Sequence, residues 1–312
     1  MKKKYYCLII FLLILLLSPS YISFSEECRK ENINDTKRNL FSIIKGYYDY
    51  FLDLEVDESG KIYLVMNNNC KILYDDLREK SVNEKFVNAD LQDFFEEKYP
   101  LGQIVGVMEL NMDPGRLRNY QLLSTVYGNN KREIEKNLTT INTKYGSVIF
   151  NKSNNAALNL KKALDEVAEL ANNNHRINGF VVPISGTYNY RVIQDTGMLS
   201  PHSYGIAIDL NRNDADYWKW VSKEKGSNRI RIYPKEIVES FEKYGFVWGG
   251  KWSHFDILHF EYKPEILIRA KYFTNEEVDE KWDCEISKDV ENIEIIKLIN
   301  EKINWKNKEM LL

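Results

Sequence analysis

The chain has 312 residues, 44% of them hydrophobic and 13% aromatic, with a formal net charge of −3. That length is too great for one minimal domain and short for three, and the composition supports a buried core rather than a disordered chain. A mildly acidic balance gains little from phosphate backbones, so nucleic acid is not an expected partner.

Residues 1–25 read as an export leader. Lys2, Lys3 and Lys4 precede an apolar run from Tyr5 to Leu17, and Ser23 and Ser25 stand just before Glu26. This is the order of a secretory signal peptide, which predicts an extracytoplasmic protein that meets the membrane only during export. The rival is an uncleaved anchor, for which the run is short against a span of about 20 residues. Cys28 lacks the small apolar neighbours of a lipoprotein signal. Cys28, Cys70 and Cys284 allow one bridge but no disulfide framework.

Residues 26–146 read as a mixed accessory domain. A helix is expected over Lys37–Leu52. Lys61–Met66 and Lys71–Tyr74 flank Asn67-Asn68-Asn69 as a hairpin. Further helices are expected over Ala89–Lys98 and Arg116–Tyr127, with Asp113-Pro114-Gly115 leading into the second. Residues 147–270 have another texture. Ala156, Leu160, Ala163, Leu164, Val167 and Ala171 recur at helical spacing. Phe180–Ile184, Ile206–Leu210 and Ile257–Tyr262 read as strands, and Pro234 opens a helix that Gly245 closes. The charged tail, 271–312, predicts a helix with Val290, Ile293, Ile296 and Ile299 inward. The fold class is α+β: a small antiparallel sheet with flanking helices, plus the mixed N-terminal domain.

Two stretches carry chemistry. In Ser200-Pro201-His202-Ser203-Tyr204-Gly205-Ile206-Ala207-Ile208-Asp209, His202 and Asp209 would face opposite ways on one straight strand. Gly205 offers a bend that could bring them together, and Ala207 leaves room beside Asp209. In Trp248-Gly249-Gly250-Lys251-Trp252-Ser253-His254-Phe255-Asp256-Ile257-Leu258-His259-Phe260-Glu261, His259 lies in an apolar strand three residues after Asp256. Catalytic zinc commonly takes three ligands from histidines and carboxylates, and a further carboxylate must collect the water's proton. Trp248, the glycine pair and Trp252 would form a rigid wall or simply core. Glu261 shares the face of His259, as a partner to it or as a surface residue. His254 reads as a loop histidine and His175 as exposed. A Ser200-His202-Asp209 triad lacks a Gly-x-Ser-x-Gly elbow, and no His-Glu-x-x-His helix is present.

The Ser-x-His-x-x-Gly-x-Ala-x-Asp pattern at Ser200–Asp209, the Trp-Gly-Gly-x-Trp stretch followed by Asp-x-x-His, and the upstream Gly186-Thr187-Tyr188-Asn189-Tyr190-Arg191 resemble the M15 metallopeptidases. These are D-alanyl-D-alanine carboxypeptidases, dipeptidases and L-alanyl-D-glutamate endopeptidases of peptidoglycan. The overlap runs from Asn151 to Pro264, and the front region resembles that of longer clostridial members. The resemblance implies one zinc ion per chain held by His202, Asp209 and His259 on the small sheet, and Asp256 as catalytic base. It implies Arg191 beside the scissile carbonyl or a substrate carboxylate, with Ser200, Tyr188 and Trp252 toward substrate. An assignment in which Asp256 is the ligand and Asp209 is not stays open. Leu258 departs from the related branch, where proline often stands. The implied function is hydrolysis of peptidoglycan stem peptides or muropeptides, by a D,D-carboxypeptidase or an L-Ala-D-Glu type endopeptidase that is secreted or wall-associated. The alternative is a noncatalytic wall-binding or sensing protein that keeps the fold.

Overall fold

The computed structural model describes residues 33–274 and 281–303. Residues 1–25, read above as an export leader, and Cys28 lie outside the described residues. The fold is α+β.

Helix α1 (33–46) buries Leu40, Phe41, Ile43 and Ile44. It ends at Gly46 rather than running on to Leu52, and a side chain at Gly46 would meet the Glu265 backbone nitrogen at 2.9 Å, so the close approach requires glycine there. Strand β1 (Phe51–Val56) follows and pairs antiparallel with β2 (Ile62–Met66), which pairs with β3 (Lys71–Leu73). The expected hairpin is therefore present, with an extra strand. Leu54, Leu64 and Ile72 stand in register across the three strands and are buried.

The helix expected over Ala89–Lys98 is absent as such. Helix α2 spans Val82–Asn88, started by a capping box in which Ser81 and Glu84 satisfy each other's backbone. Beyond it, the Asp90 and Asp93 carboxylates each accept from the other's backbone N–H, at 2.9 and 3.0 Å. The same reciprocal pattern that opens α2 here opens only a single 3₁₀ turn, at Asp93–Phe95. Helix α3 is Tyr120–Tyr127, capped by Asn119, so residues 116–119 are extended. Helix α4 (Lys131–Lys136) leads to the hairpin β4 (Leu138–Thr143) and β5 (Gly146–Asn151).

Helix α5 (Ala156–Asn173) buries the whole expected stripe. Phe180–Ile184 is not a strand. Phe180 and Val181 are buried on the one-turn helix α6 (Asn178–Val181), and the chain then passes Pro183. A short apolar run does not separate strand from helix, and the proline cannot donate to a sheet. After α7 (Pro201–Tyr204) come β6 (Ala207–Asp209), α8 (Lys223–Ile232), α9 (Lys235–Lys243), β7 (Phe246–Trp248) and β8 (His259–Tyr262). These strands form an antiparallel sheet in the order β6-β8-β7. Helix α9 packs on one face, where Phe241 lies 4.2 Å from Phe260 and 5.5 Å from Phe246 between ring centres.

Helix α10 (Pro264–Tyr272) and the tail helix α11 (Val290–Lys302) complete the fold. The inward stripe of α11 is Asn292, Ile295 and Ile299, whereas Val290 and Ile293 face outward. With Ile293, Ile295, Ile296 and Ile299 on one helix, two stripes are apolar and spacing alone does not choose between them. The buried apolar side chains form one connected core from α1 to α11.

Candidate metal centre

The sheet register builds the centre. Asp209 on β6 stands opposite His259 on β8, and Ala207 stands opposite Glu261. Registered neighbours share a face, so one face carries both His259 and Asp209. His202 arrives from α7, a single turn that Ser200 caps by accepting from the His202 N–H at 3.3 Å. Gly205 ends that turn at φ +68°, and a Cβ there would meet Leu138 Cδ2 at 2.7 Å. The chain therefore reverses tightly into β6.

Three ligand atoms converge. His202 Nε2 lies 3.3 Å from His259 Nδ1 and 3.2 Å from Asp209 Oδ1, and His259 Nδ1 lies 2.9 Å from Asp209 Oδ1. Tetrahedral zinc with bonds of about 2.0–2.1 Å sets its ligand atoms about 3.3 Å apart, so these donors fit such an ion. The outer ring atoms are also engaged. His202 Nδ1 donates to the Thr187 carbonyl at 2.6 Å, which leaves Nε2 as the acceptor. Thr187 is held there because Gly186 bridges to Asp209. His259 Nε2 faces Glu261 Oε2 at 3.8 Å, an ion-pair distance.

The groups are strongly coupled electrostatically. Burial raises the Asp209 carboxyl, but hydrogen bonds from His202 and His259 outweigh it and hold the group well below its ordinary range. Burial disfavours charge on His259, yet Asp209, Glu261 and Asp256 bring it up to about 9. Asp256 is different. Burial, opposed by the charges of His259, His202 and Arg116, leaves its carboxyl at about 6. It is not part of the convergent trio, and its side chain accepts no hydrogen bond among the described residues. A tight turn, with the His259 N–H donating to the Asp256 carbonyl at 3.1 Å, separates the two residues.

The glycine pair has a packing reason. A Cβ on Gly249 would sit 2.5 Å from the Asp256 carbonyl oxygen, and one on Gly250 would sit 2.3 Å from the Trp248 indole. Trp252 is buried, with its ring 5.7 Å from that of His259 and its N–H given to the Pro114 carbonyl at 3.0 Å. It is a wall of the centre. Ser200 is buried at the cap of α7. Tyr188 donates to Glu135 on α4 at 3.1 Å. The Arg191 side chain is exposed and forms no ion pair among the described residues, while its backbone is tied to Ser203 beside His202. His254 donates to Asp113 at 2.6 Å and packs on Trp218, and His175 is exposed.

The residues that sequence reasoning missed come from the front of the chain. Arg118 grips Glu261 through Nε and Nη2 at 2.9 and 2.6 Å, and Glu261 has no exposed surface. Asp113 accepts from the His254 N–H at 3.0 Å, and Ser253 N–H donates to the Met112 carbonyl at 2.7 Å. Lys263 reaches the carbonyls of Gly115 and Leu117. The one signal in the sequence was Glu261 itself, since a carboxylate inside an apolar strand needs a cation. In a second acidic group, Asp75, Asp76 and Asp90, the Lys80 ammonium bridges two members, at 2.6 Å from Asp90 and 3.2 Å from Asp76.

Residues 194–262 match the family model described as D-alanyl-D-alanine carboxypeptidase, which bears out the M15 resemblance. The match takes in Ser200, His202, Asp209, Trp252, Asp256 and His259, and stops short of Tyr188, Arg191 and the front segment. No curated protein and no solved structure matches the chain.

Proposed function

We propose that this M15 family peptidase is a zinc-dependent hydrolase of peptidoglycan stem peptides, with His202, Asp209 and His259 as ligands and Asp256 as base. The observation that carries the reading is the meeting of His202 Nε2, Asp209 Oδ1 and His259 Nδ1 within 2.9–3.3 Å, with an unengaged carboxylate just outside. His202, Asp209 and His259 would hold the zinc, which when bound would supply Lewis acidity to the carbonyl and lower the pKa of a water toward about 7. Asp256, at about 6, accepts the proton of the attacking water and delivers it to the leaving nitrogen. Trp252 keeps bulk water from one side. Arg191, beside α7 with its guanidinium open, braces charge developing on the carbonyl oxygen.

The test is incubation of the leaderless chain with purified muropeptides, with and without chelator, with products identified by mass. Loss of a single D-alanine marks the D,D-carboxypeptidase, and cleavage between L-alanine and D-glutamate marks the endopeptidase. A zinc-loaded chain that binds muropeptides and releases no product would replace this reading with the noncatalytic one.

A further inference from the structure

Two arginines on the extended stretch before α3 are used differently. Arg118 spends Nε and Nη2 on Glu261 and is buried. Arg116, two residues earlier, has a side chain 24% exposed and one hydrogen bond among the described residues, from Nη1 to Asp113 at 3.0 Å. A guanidinium has five N–H donors, so most of those of Arg116 are unspent. Asp113 neutralises it only in part, since the same carboxylate also accepts from the His254 ring and backbone.

The group is nevertheless held in place. It lies over the Phe86 ring at 4.7 Å and over the Trp252 ring at 5.5 Å. Trp252 in turn lies 5.7 Å from His259. Trp252 thus neighbours both a fixed, partly exposed cation and a residue of the metal centre. Its charge is felt by Asp256, whose carboxyl it lowers against burial. Arg116 therefore stands on the Trp252 and Asp256 side, whereas Arg191 stands on the loop tied to α7.

We propose that Arg116 is a substrate-binding group of the front segment, placed to take the α-carboxylate of the residue that leaves with the amine. The inference rests on the peptidase reading. Asp256 hands its proton to the leaving nitrogen, so a cation on its side meets the leaving residue rather than the acyl part. A fork with free donors takes a carboxylate in two parallel hydrogen bonds. A terminal D-alanine carries such a group, and so does a D-glutamate joined through its side chain. Arg116 then makes the enzyme selective for a free α-carboxylate over its amide.

The experiment is calorimetric titration of the zinc-loaded, leaderless chain with an uncleavable ketomethylene analogue of D-alanyl-D-alanine. The analogue is used as free acid and as carboxamide, alongside the matching L-alanyl-γ-D-glutamate pair. Wild type should bind the acid of at least one pair about 10- to 100-fold more tightly than the amide. Arg116→Gln should abolish that ratio, while Arg116→Lys should keep part of it. Zinc content and thermal unfolding of each variant exclude a collapsed site as the cause. Equal acid-to-amide ratios in wild type and Arg116→Gln overturn the proposal, as does a wild type with no preference for the acid. A persistent, Arg116-dependent preference with no cleavage of muropeptides would overturn the peptidase reading alone.

Discussion

Asp209 and Asp256 are both partly buried carboxylates that feel the charge of the same two histidines, and their surroundings separate their roles. Asp209 sits inside the trio and is held ionised. Asp256 sits outside it, raised to about 6. Asp209→Ala should therefore lose zinc. Asp256→Ala should keep near-stoichiometric zinc and lose about 10²–10⁴-fold in rate, the usual worth of general acid–base help. Zinc analysis and turnover of both variants decide, and the opposite pattern would make Asp256 the ligand. Glu261 gives a second test. Removing it strands Arg118 in the interior, which costs about 3–5 kcal/mol when a buried pair is broken. It also frees the outer nitrogen of His259, a change that typically weakens metal affinity about 10–100-fold. Denaturant unfolding and zinc titration of Glu261→Ala should show both losses. The trio was readable from the sequence because each residue lies in a short, patterned segment. Arg118 was not, since its role depends on a partner 143 positions away.

At the scale of elements, the sequence revealed most where periodicity was long. The α5 stripe is as expected, and so are the second hairpin strand and the Pro234–Gly245 helix. It revealed least at helix ends, where the Asp90 and Asp93 pair opens only one 3₁₀ turn and α1 stops at Gly46. Gly205 is the sharpest case within the centre. Its positive φ and the 2.7 Å approach of Leu138 predict that Gly205→Ala destabilises the chain by more than about 1 kcal/mol, measurable by thermal unfolding, and displaces His202. The Met112–Arg116 segment yields a pH prediction. Burial raises the Asp113 carboxyl, but Arg116 and His254 outweigh it and leave the group depressed. A depressed carboxyl stabilises the folded chain above its unfolded pKa of about 3.9, and that contribution is lost as pH falls through the folded value. Stability should drop on acidification below about pH 4, and Asp113→Asn should flatten that acid limb in unfolding curves recorded against pH.

For the molecule as a whole, the decisive feature is that one core joins α1 to α11. Polar ties run with it: Tyr99 donates to Glu242, Lys251 pairs with Glu242, and Arg118 pairs with Glu261. A chain without residues 1–25 should therefore unfold in a single transition by calorimetry and by tryptophan fluorescence. Residues 147–270 expressed alone should not give a soluble, zinc-binding unit, because Glu261 would be buried without its cation. Two separate transitions, or a folded fragment, would show that the halves are independent. The Arg118–Glu261 pair also bears on ancestry. A gene fusion that placed the Glu261-bearing segment behind an unrelated front would inherit a carboxylate with no counter-charge. Lineages carrying this Glu261 are thus expected to pass both halves on together, and those that exchange the front segment are expected to have replaced the glutamate first.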